Sequence, residues 1–108
     1  VGTRPYGVAF DGTNIWVTNS DSNNVTELKA SDGSFVGAYN VGSYPRGVAF
    51  DGTNIWVANT FSDTVTKLKA SDGSLVGAYN VGTRPYGVAF DGTNIWVANY
   101  GGTTVSKL

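Results

Sequence analysis

The chain repeats itself with a period of 40 residues. The segment VGTRPYGVAFDGTNIWVTNS at 1–20 recurs as VGSYPRGVAFDGTNIWVANT at 41–60 and as VGTRPYGVAFDGTNIWVANY at 81–100. A period of this length is typical of repeat proteins, in which each unit buries its apolar surface against the next unit. The 108 residues therefore divide into repeat units at 1–40, 41–80 and 81–108, of which the third is partial.

Turn-forming residues divide each unit into short extended runs. The Asp-Gly, Asn and Pro residues between the runs favour hairpin turns. No run has the length or the period of about 3.6 residues that a helix needs. The sequence therefore predicts an all-β protein, with strands in the first unit at Gly7–Phe10, Ile15–Asn19, Val25–Lys29 and Phe35–Tyr39.

Four short antiparallel strands in each 40-residue repeat are typical of a β-propeller blade. Both faces of the predicted strands carry apolar side chains, as where Ile15 and Val17 lie opposite Trp16. A sheet packed between two neighbours needs this pattern, whereas a sheet with one wet face alternates apolar and polar residues. We therefore predict about three blades, of which two have four strands and the third, at 81–108, lacks the outermost strand. Trp16, Trp56 and Trp96 are predicted to pack between blades.

The second repeat carries the motifs of a known family. PRGVAF at 45–50, DGTN at 51–54 and IWVAN at 55–59, followed by TVTKL at 64–68, resemble the YVTN family of β-propeller repeats. The tetrapeptide that names the family has counterparts in WVTN at 16–19 and in WVAN at 56–59 and 96–99. Members of that family include archaeal surface-layer proteins and bacterial periplasmic propellers. The resemblance therefore implies an exported propeller with an extracellular or periplasmic location.

The composition removes most catalytic chemistry from consideration. Without Cys, His or Met, the chain has no thiol nucleophile, no imidazole base and no usual ligand for zinc, haem or iron–sulfur clusters. The lyase that opens streptogramin rings also resembles the chain at the PYG-V-A segment. That lyase works with His, Glu and a divalent cation, whereas this chain has a single Glu, Glu27. We therefore expect no enzymatic activity, no metal and no cofactor.

The distribution of charge also limits the partners. The net charge is −1, neither sign forms a block, and no apolar run approaches the ~20 residues of a membrane helix. We therefore expect neither nucleic acid nor a membrane as a partner. An arc of three blades exposes an apolar face at each end, which instead predicts association with another protein surface.

Nearly identical blades present matching faces, so head-to-tail assembly of several copies into a closed ring is expected. Two copies would give six blades and three copies nine. Because about four to eight blades are commonly seen, we favour the homodimer over the homotrimer. A ring of seven or eight blades would instead require a longer array of repeats or a partner that supplies the remaining blades.

The differences between repeats indicate where a ligand could bind. They concentrate in the loop before each first strand and in the loop between the second and third strands, which a meander places on one face of the disc. The DGTN and SDG turns, which hardly vary, fall on the opposite face. The candidate ligand-binding residues are one Arg and one Tyr on either side of a Pro in each repeat: Arg4, Tyr6, Tyr44, Arg46, Arg84 and Tyr86.

These guanidinium and phenol groups suit a carbohydrate or a small anion. Tyr packed on Pro, with Arg as a solvated rim residue, also fits the sequence. Asp11, Asp51 and Asp91 of the DGTN segments are predicted to serve as turn residues and not as metal ligands.

Two functions follow from these patterns. The first is a non-enzymatic, self-assembling propeller scaffold or interaction protein. Its near-identical repeats fit recent natural amplification, deliberate design from a consensus repeat or a fragment of a longer array. The alternative is a lectin-like binding module with repeated Arg/Tyr sites.

Overall fold

All the predicted strands are present in the computed structural model, which describes residues 1–108. They begin up to two residues earlier than predicted, because the Pro at the start of each first strand already pairs with the following strand, as Pro5 does with Asn19. A proline at the first position of a strand removes no essential ladder hydrogen bond. The prediction of an all-β protein is confirmed by the eleven strands β1 (Pro5–Phe10), β2 (Asn14–Asn19), β3 (Asn24–Lys29), β4 (Phe35–Asn40), β5 (Pro45–Phe50), β6 (Asn54–Asn59), β7 (Thr64–Lys69), β8 (Leu75–Asn80), β9 (Pro85–Phe90), β10 (Ile95–Asn99) and β11 (Thr104–Lys107).

The strands form three antiparallel sheets, each of them a simple meander. The first sheet is β1-β2-β3-β4, the second is β5-β6-β7-β8, and the third is β9-β10-β11. Equivalent residues pair in the same register, so that Val8 lies opposite Val17 just as Val48 lies opposite Val57. The sequence repeat is therefore also a repeat of strand pairing. No helix is long and apolar enough to cross a membrane.

The first strands of neighbouring sheets approach each other closely. A Cβ atom added to Gly7 would collide with the carbonyl oxygen of Arg46, and one added to Gly47 would collide with that of Tyr86. Glycine is the residue that allows such an approach of two backbones. Gly87 occupies the same position in the third sheet and faces open space.

The core lies between the sheets. Trp16 and Val25 of the first sheet pack against Ile55, Val57 and Leu68 of the second sheet. In the same way, Trp56, Ala58 and Val65 of the second sheet pack against Ile95 and Val97 of the third sheet. The predicted packing of Trp16 and Trp56 between sheets is therefore confirmed.

Polar contacts join the same pairs of sheets. The Ser20 hydroxyl donates a hydrogen bond of 2.8 Å to the carbonyl oxygen of Pro45. The equivalent Thr60 hydroxyl donates one of 2.8 Å to Pro85. The third repeat has Tyr100 at this position. Each sheet is thus tied to the next by an apolar contact and by a buried hydrogen bond.

The two outer sheets each leave one apolar face uncovered. We call the uncovered surface of the first sheet the leading face. Its residues are equivalent to those that the second sheet packs against the first: Val8, Phe10, Ile15, Val17 and Leu28. On the third sheet we call it the trailing face: Trp96, Ala98 and Val105. Trp96 is 38% exposed, whereas Trp56 is 8% exposed. Apolar side chains that are buried between neighbouring sheets are thus exposed at equivalent positions on the two outer sheets.

The DGTN turns are held by their Asp side chains. Oδ1 of Asp11 accepts hydrogen bonds from the backbone N–H groups of Thr13 and Asn14, at 2.8 and 2.6 Å. Its Oδ2 accepts a bond of 2.8 Å from the indole N–H of Trp16. The same bonds recur at Asp51 and Asp91. The predicted turn role of these three Asp residues is confirmed, and Asp11 and Asp51 also orient the Trp residues that pack on the next sheet.

The Asp–Trp bonds predict acid sensitivity. The backbone N–H of Asn94 and the indole of Trp96 lower the pKa of Asp91 to about 2. At Asp11 and Asp51 burial acts in the opposite direction, but hydrogen bonds prevail and the pKa is also lowered.

Folded carboxylates with a lowered pKa hold protons less tightly than unfolded ones. Their contribution to stability is therefore complete above the unfolded pKa of about 4 and is lost as the pH falls toward about 2. We expect the urea midpoint to fall over this range, and to fall less steeply in an Asp91→Asn variant. Identical pH profiles of the two proteins would contradict this assignment.

Candidate functional site

The two variable loops of each repeat lie side by side. In the first repeat, the N–H of Ser20 donates to the carbonyl oxygen of Arg4, and that of Asp21 donates to Thr3. At the other end of the sheet, the N–H of Ala30 donates to the carbonyl oxygen of Thr13. The predicted division into two faces is therefore confirmed. We call the end with the variable loops the loop face and the end with the DGTN and SDG turns the turn face.

The residue before each Pro on the loop face has an unusual backbone conformation. The φ angles of Arg4, Tyr44 and Arg84 are 55°, 56° and 50°. A non-glycine residue in this region is strained by about 1–3 kcal/mol and needs support from its surroundings. At Tyr44 and Arg84 the support comes from the preceding repeat, because the backbone N–H of each donates a bond of 2.9 Å to a side-chain oxygen, that of Asn23 and of Asp63 respectively.

Three sheets contribute to a cluster centred on Arg46. Its guanidinium carbon lies 4.5 Å from the ring centroid of Tyr44 and 4.7 Å from that of Tyr86. Tyr6 contacts Tyr86 edge to face, with ring centroids 5.4 Å apart. A cation within about 6 Å of an aromatic face is attracted by the ring quadrupole. The two tyrosine rings therefore attract and hold the guanidinium of Arg46.

Two further aromatic residues extend this cluster outward. Phe61 stacks on Tyr44, with ring centroids 4.6 Å apart. Tyr100 lies against Tyr86 at 5.8 Å. We call the complete group the Arg46 cluster: Tyr6, Tyr44, Arg46, Phe61, Tyr86 and Tyr100. Phe61 and Tyr100 were not among the candidates from sequence, because each occurs in only one repeat and the repeat comparison marked their loop only as variable.

The remaining two candidates lie at the edge of the cluster or outside it. Arg4 Nη1 donates a bond of 3.2 Å to the hydroxyl of Tyr44, and Arg4 Nε lies 3.2 Å from Oδ2 of Asp21. The bond from Arg4, together with the Arg46 guanidinium, lowers the pKa of Tyr44. The Arg84 side chain forms neither a hydrogen bond nor an ion pair. The structure thus joins four of the six candidates directly, attaches Arg4 through Tyr44, and leaves Arg84 outside.

Arg46 has no counter-charge. The pair of Arg4 and Asp21 is the one ion pair in the chain. Arg46 Nε is buried and has no hydrogen-bond acceptor. An unsatisfied donor in a buried position costs about 1–3 kcal/mol, and more when the group is charged. The cluster therefore contains a cation that has no counter-charge and whose Nε donor is not used within the protein.

Two other concave surfaces lie elsewhere. An open groove of about 730 Å³ runs along the turn face between the first and second sheets, and its lining includes Asn14, Asn54 and Lys69. A depression of about 280 Å³ lies on the trailing face beside Trp96 and Val105. Neither contains a candidate residue from the sequence. No group of three or more acidic side chains converges to hold a metal ion.

Several solved structures are similar to this chain. Hydrazine synthase from Kuenenia stuttgartiensis matches 87% of the chain at 26% identity, with a TM-score of 0.80. Virginiamycin B lyase from Staphylococcus aureus, in a catalytically inactive form with quinupristin, matches 96% at 17% identity, with a TM-score of 0.84. A functionally unknown protein from Desulfotomaculum acetoxidans matches 95% at 22% identity, with a TM-score of 0.78. The chain spans 28%, 37% and 37% of these three chains.

The chain has a β-propeller-like fold. Its three antiparallel meanders, packed face to face, are the arrangement that the solved propeller proteins share with it. No protein-family model and no curated protein matches the sequence. The propeller arc covers less than two thirds of each of the three solved chains named above, so their likeness supports the fold and leaves the activity to be inferred from the chain itself.

Proposed function

We propose that the chain is a non-enzymatic β-propeller scaffold of the YVTN repeat type, whose copies join head to tail into a closed ring. The observation that carries this proposal is the relation between the two uncovered faces. The trailing face of the third sheet repeats the Trp, Ala and Val that the second sheet buries at Trp56, Ala58 and Val65, and the first sheet differs only by Thr18 in place of Ala. Inside the chain, each such trailing surface is covered by the leading surface of the next sheet. In the proposed ring, the leading face of a second copy would cover the trailing face of the third sheet in the same way.

The exposure of one valine shows how much remains uncovered. Val25 and Val65 are fully buried, each in contact with the next sheet, whereas the equivalent Val105 is 63% exposed. Exposed apolar surface of this kind is unfavourable in water and marks an interaction site. On the proposed partner copy, Val8 and Phe10 are the exposed counterparts that would be buried together with Val105.

The number of copies follows from closure. Each sheet acts as one blade in this proposal, so two copies supply six blades and three copies supply nine. Since propellers commonly contain about four to eight blades, the dimer is the favoured ring. The contact is heterologous, because a trailing face meets a leading face, and such contacts close only at a fixed rotation between copies.

The proposal of a scaffold without catalysis is supported by the side chains on the loop face. The Arg46 cluster contains four phenols and one guanidinium group but no carboxylate, and the chain has no Cys or His. Lyases are among the proteins of similar fold, but the present side chains offer no pairing of a nucleophile with a base. If the repeats are of the YVTN type, the location that we propose for the chain is extracellular or periplasmic.

Native mass spectrometry and light scattering test the assembly. We expect a species with twice the 11.3 kDa mass of the chain. A Val105→Lys variant places a charge on the trailing face and should yield the single chain, because burying an unpaired charge is strongly unfavourable. Thr93→Lys adds the same charge on the turn face and should leave the dimer intact. A wild-type protein that remains at 11.3 kDa at every concentration would overturn the proposal.

A second candidate function is ligand binding at the Arg46 cluster. The observation that favours it is the unused Nε donor of Arg46 among aromatic side chains that are more than half exposed, namely Tyr6, Phe61 and Tyr100. Ligand binding would use the side chains of the loop face, whereas ring assembly would use the leading and trailing faces and, of the cluster, only the backbone of Tyr6, so the two functions are compatible.

A further inference from the structure

We propose that the Arg46 cluster binds a carboxylate-bearing sugar, an inference that rests on ligand binding as the second function above. Three features of the cluster lead to this ligand class: the unpaired charge of Arg46, the direction from which its guanidinium can be approached, and the exposed tyrosine and phenylalanine rings around it.

The charge requires an anion. A guanidinium has five N–H donors and no acceptor. The buried Nε of Arg46 has no acceptor within the protein, and no carboxylate lies within ion-pair distance of the guanidinium. Asp21, the acidic residue of the first variable loop, is already paired with Arg4. A bound anion would supply the missing counter-charge.

The packing of Arg46 selects a planar anion. Tyr44 and Tyr86 cover the guanidinium at 4.5 and 4.7 Å from its central carbon. A ligand must therefore reach the N–H groups that these two rings leave uncovered. A carboxylate can meet a guanidinium with two parallel hydrogen bonds, a geometry that adds specificity as well as affinity.

The aromatic rings around Arg46 favour a sugar as the group to which the carboxylate is attached. Tyr6, Phe61 and Tyr100 expose broad apolar surfaces, and the two tyrosines also offer hydroxyl groups. Tyrosine provides a rigid ring for packing and a polar group for hydrogen bonding in the same side chain. A pyranose ring has an apolar face of C–H groups and a rim of hydroxyls, which matches this combination.

The chain provides a matched variant for the test. Repeats one and three read Arg-Pro-Tyr where repeat two reads Tyr-Pro-Arg. The double substitution Tyr44→Arg and Arg46→Tyr therefore reproduces a segment that the chain already contains twice. It preserves composition and net charge while it removes the guanidinium from position 46 and the Tyr44 ring beside it.

Calorimetric titration of the assembled protein with oligogalacturonate, and with the neutral galactose oligomer of the same length, tests the inference. We expect the acidic oligomer to bind the wild type at least about tenfold more tightly than the neutral one, the effect of a charge-assisted hydrogen bond. The exchanged variant should lose this preference with an unchanged urea midpoint. Lys29→Gln, which removes a positive charge at the turn face, should keep it.

The outcomes separate the ligand class from the binding function. Equal affinity for both oligomers would overturn the acidic sugar and leave ligand binding in place. An acidic preference that survives the exchange of residues 44 and 46 would overturn the role of Arg46. Absence of binding by either oligomer would overturn the inference together with the second function.

Discussion

Trp16→Ala and Trp56→Ala should each lower the free energy of unfolding by about 3–5 kcal/mol, the cost of removing a large buried aromatic side chain. Trp96→Ala should cost only about 1 kcal/mol, because its trailing face is uncovered. All three indoles donate a 2.8 Å bond to the Asp of their own turn. That lost bond is therefore common to the three variants, and the difference reports contact with the next sheet.

Urea denaturation in the Val105→Lys background measures this difference on the single chain. The two tryptophans that remain in each variant provide the fluorescence signal. In the proposed ring of the unmodified chain, Trp96→Ala should become costly as well, because a second copy would cover it. Equal losses for the three variants in the single chain would contradict the account of the core as packing between neighbouring sheets.

Gly47→Ala should destabilise the single chain by about 1–3 kcal/mol, the usual cost of forcing additional volume into a packed site. The new methyl group would collide with the carbonyl oxygen of Tyr86, and a backbone atom cannot move away as a side chain can. Gly87→Ala should leave the stability of the single chain unchanged, because no atom lies within 4 Å of the added Cβ.

The same Gly87→Ala substitution should prevent assembly. In the proposed ring, Gly87 meets the carbonyl oxygen of Tyr6 in the next copy, as Gly47 meets that of Tyr86 within the chain. We expect native mass spectrometry to show the single chain for Gly87→Ala. The dimer should persist in Gly102→Ala, where the added methyl group also meets open space. A Gly87→Ala variant that still forms the dimer would contradict the proposed contact.

The strands and their order could be predicted because their causes are local. Asp-Gly turns and alternation of apolar side chains specify a hairpin within a few residues, and repetition supplies the rest. The strand starts were less accurate, since Pro5 reads as a loop residue until its pairing with Asn19 is known. The separation of variable loops from constant turns also followed from the meander alone.

The arrangement of the Arg46 cluster could not be predicted in the same way. The contacts between Arg46 and Tyr86 and between Tyr6 and Tyr86 depend on how closely the first strands of different sheets approach. The supporting bond from the N–H of Tyr44 to Asn23 likewise joins two repeats. The packed core sets the distances between sheets. The sequence period predicts which residues lie in that core but not how closely the sheets approach. Tyr6, Tyr44, Arg46 and Tyr86 were identified by the Arg and Tyr that flank the Pro of each variable loop, but their contacts with one another and with Phe61 and Tyr100 were not.

The hydrogen bonds from Ser20 to Pro45 and from Thr60 to Pro85 have a consequence for the kinetics of unfolding. Each bond links only adjacent sheets, so the interactions form a linear series in which an end sheet is held on one side. Local unfolding of the single chain should therefore begin at its first or third sheet, where amide hydrogen exchange is expected to be fastest. A closed ring has no end sheet, and we expect it to unfold more slowly than the single chain, beyond any gain in equilibrium stability.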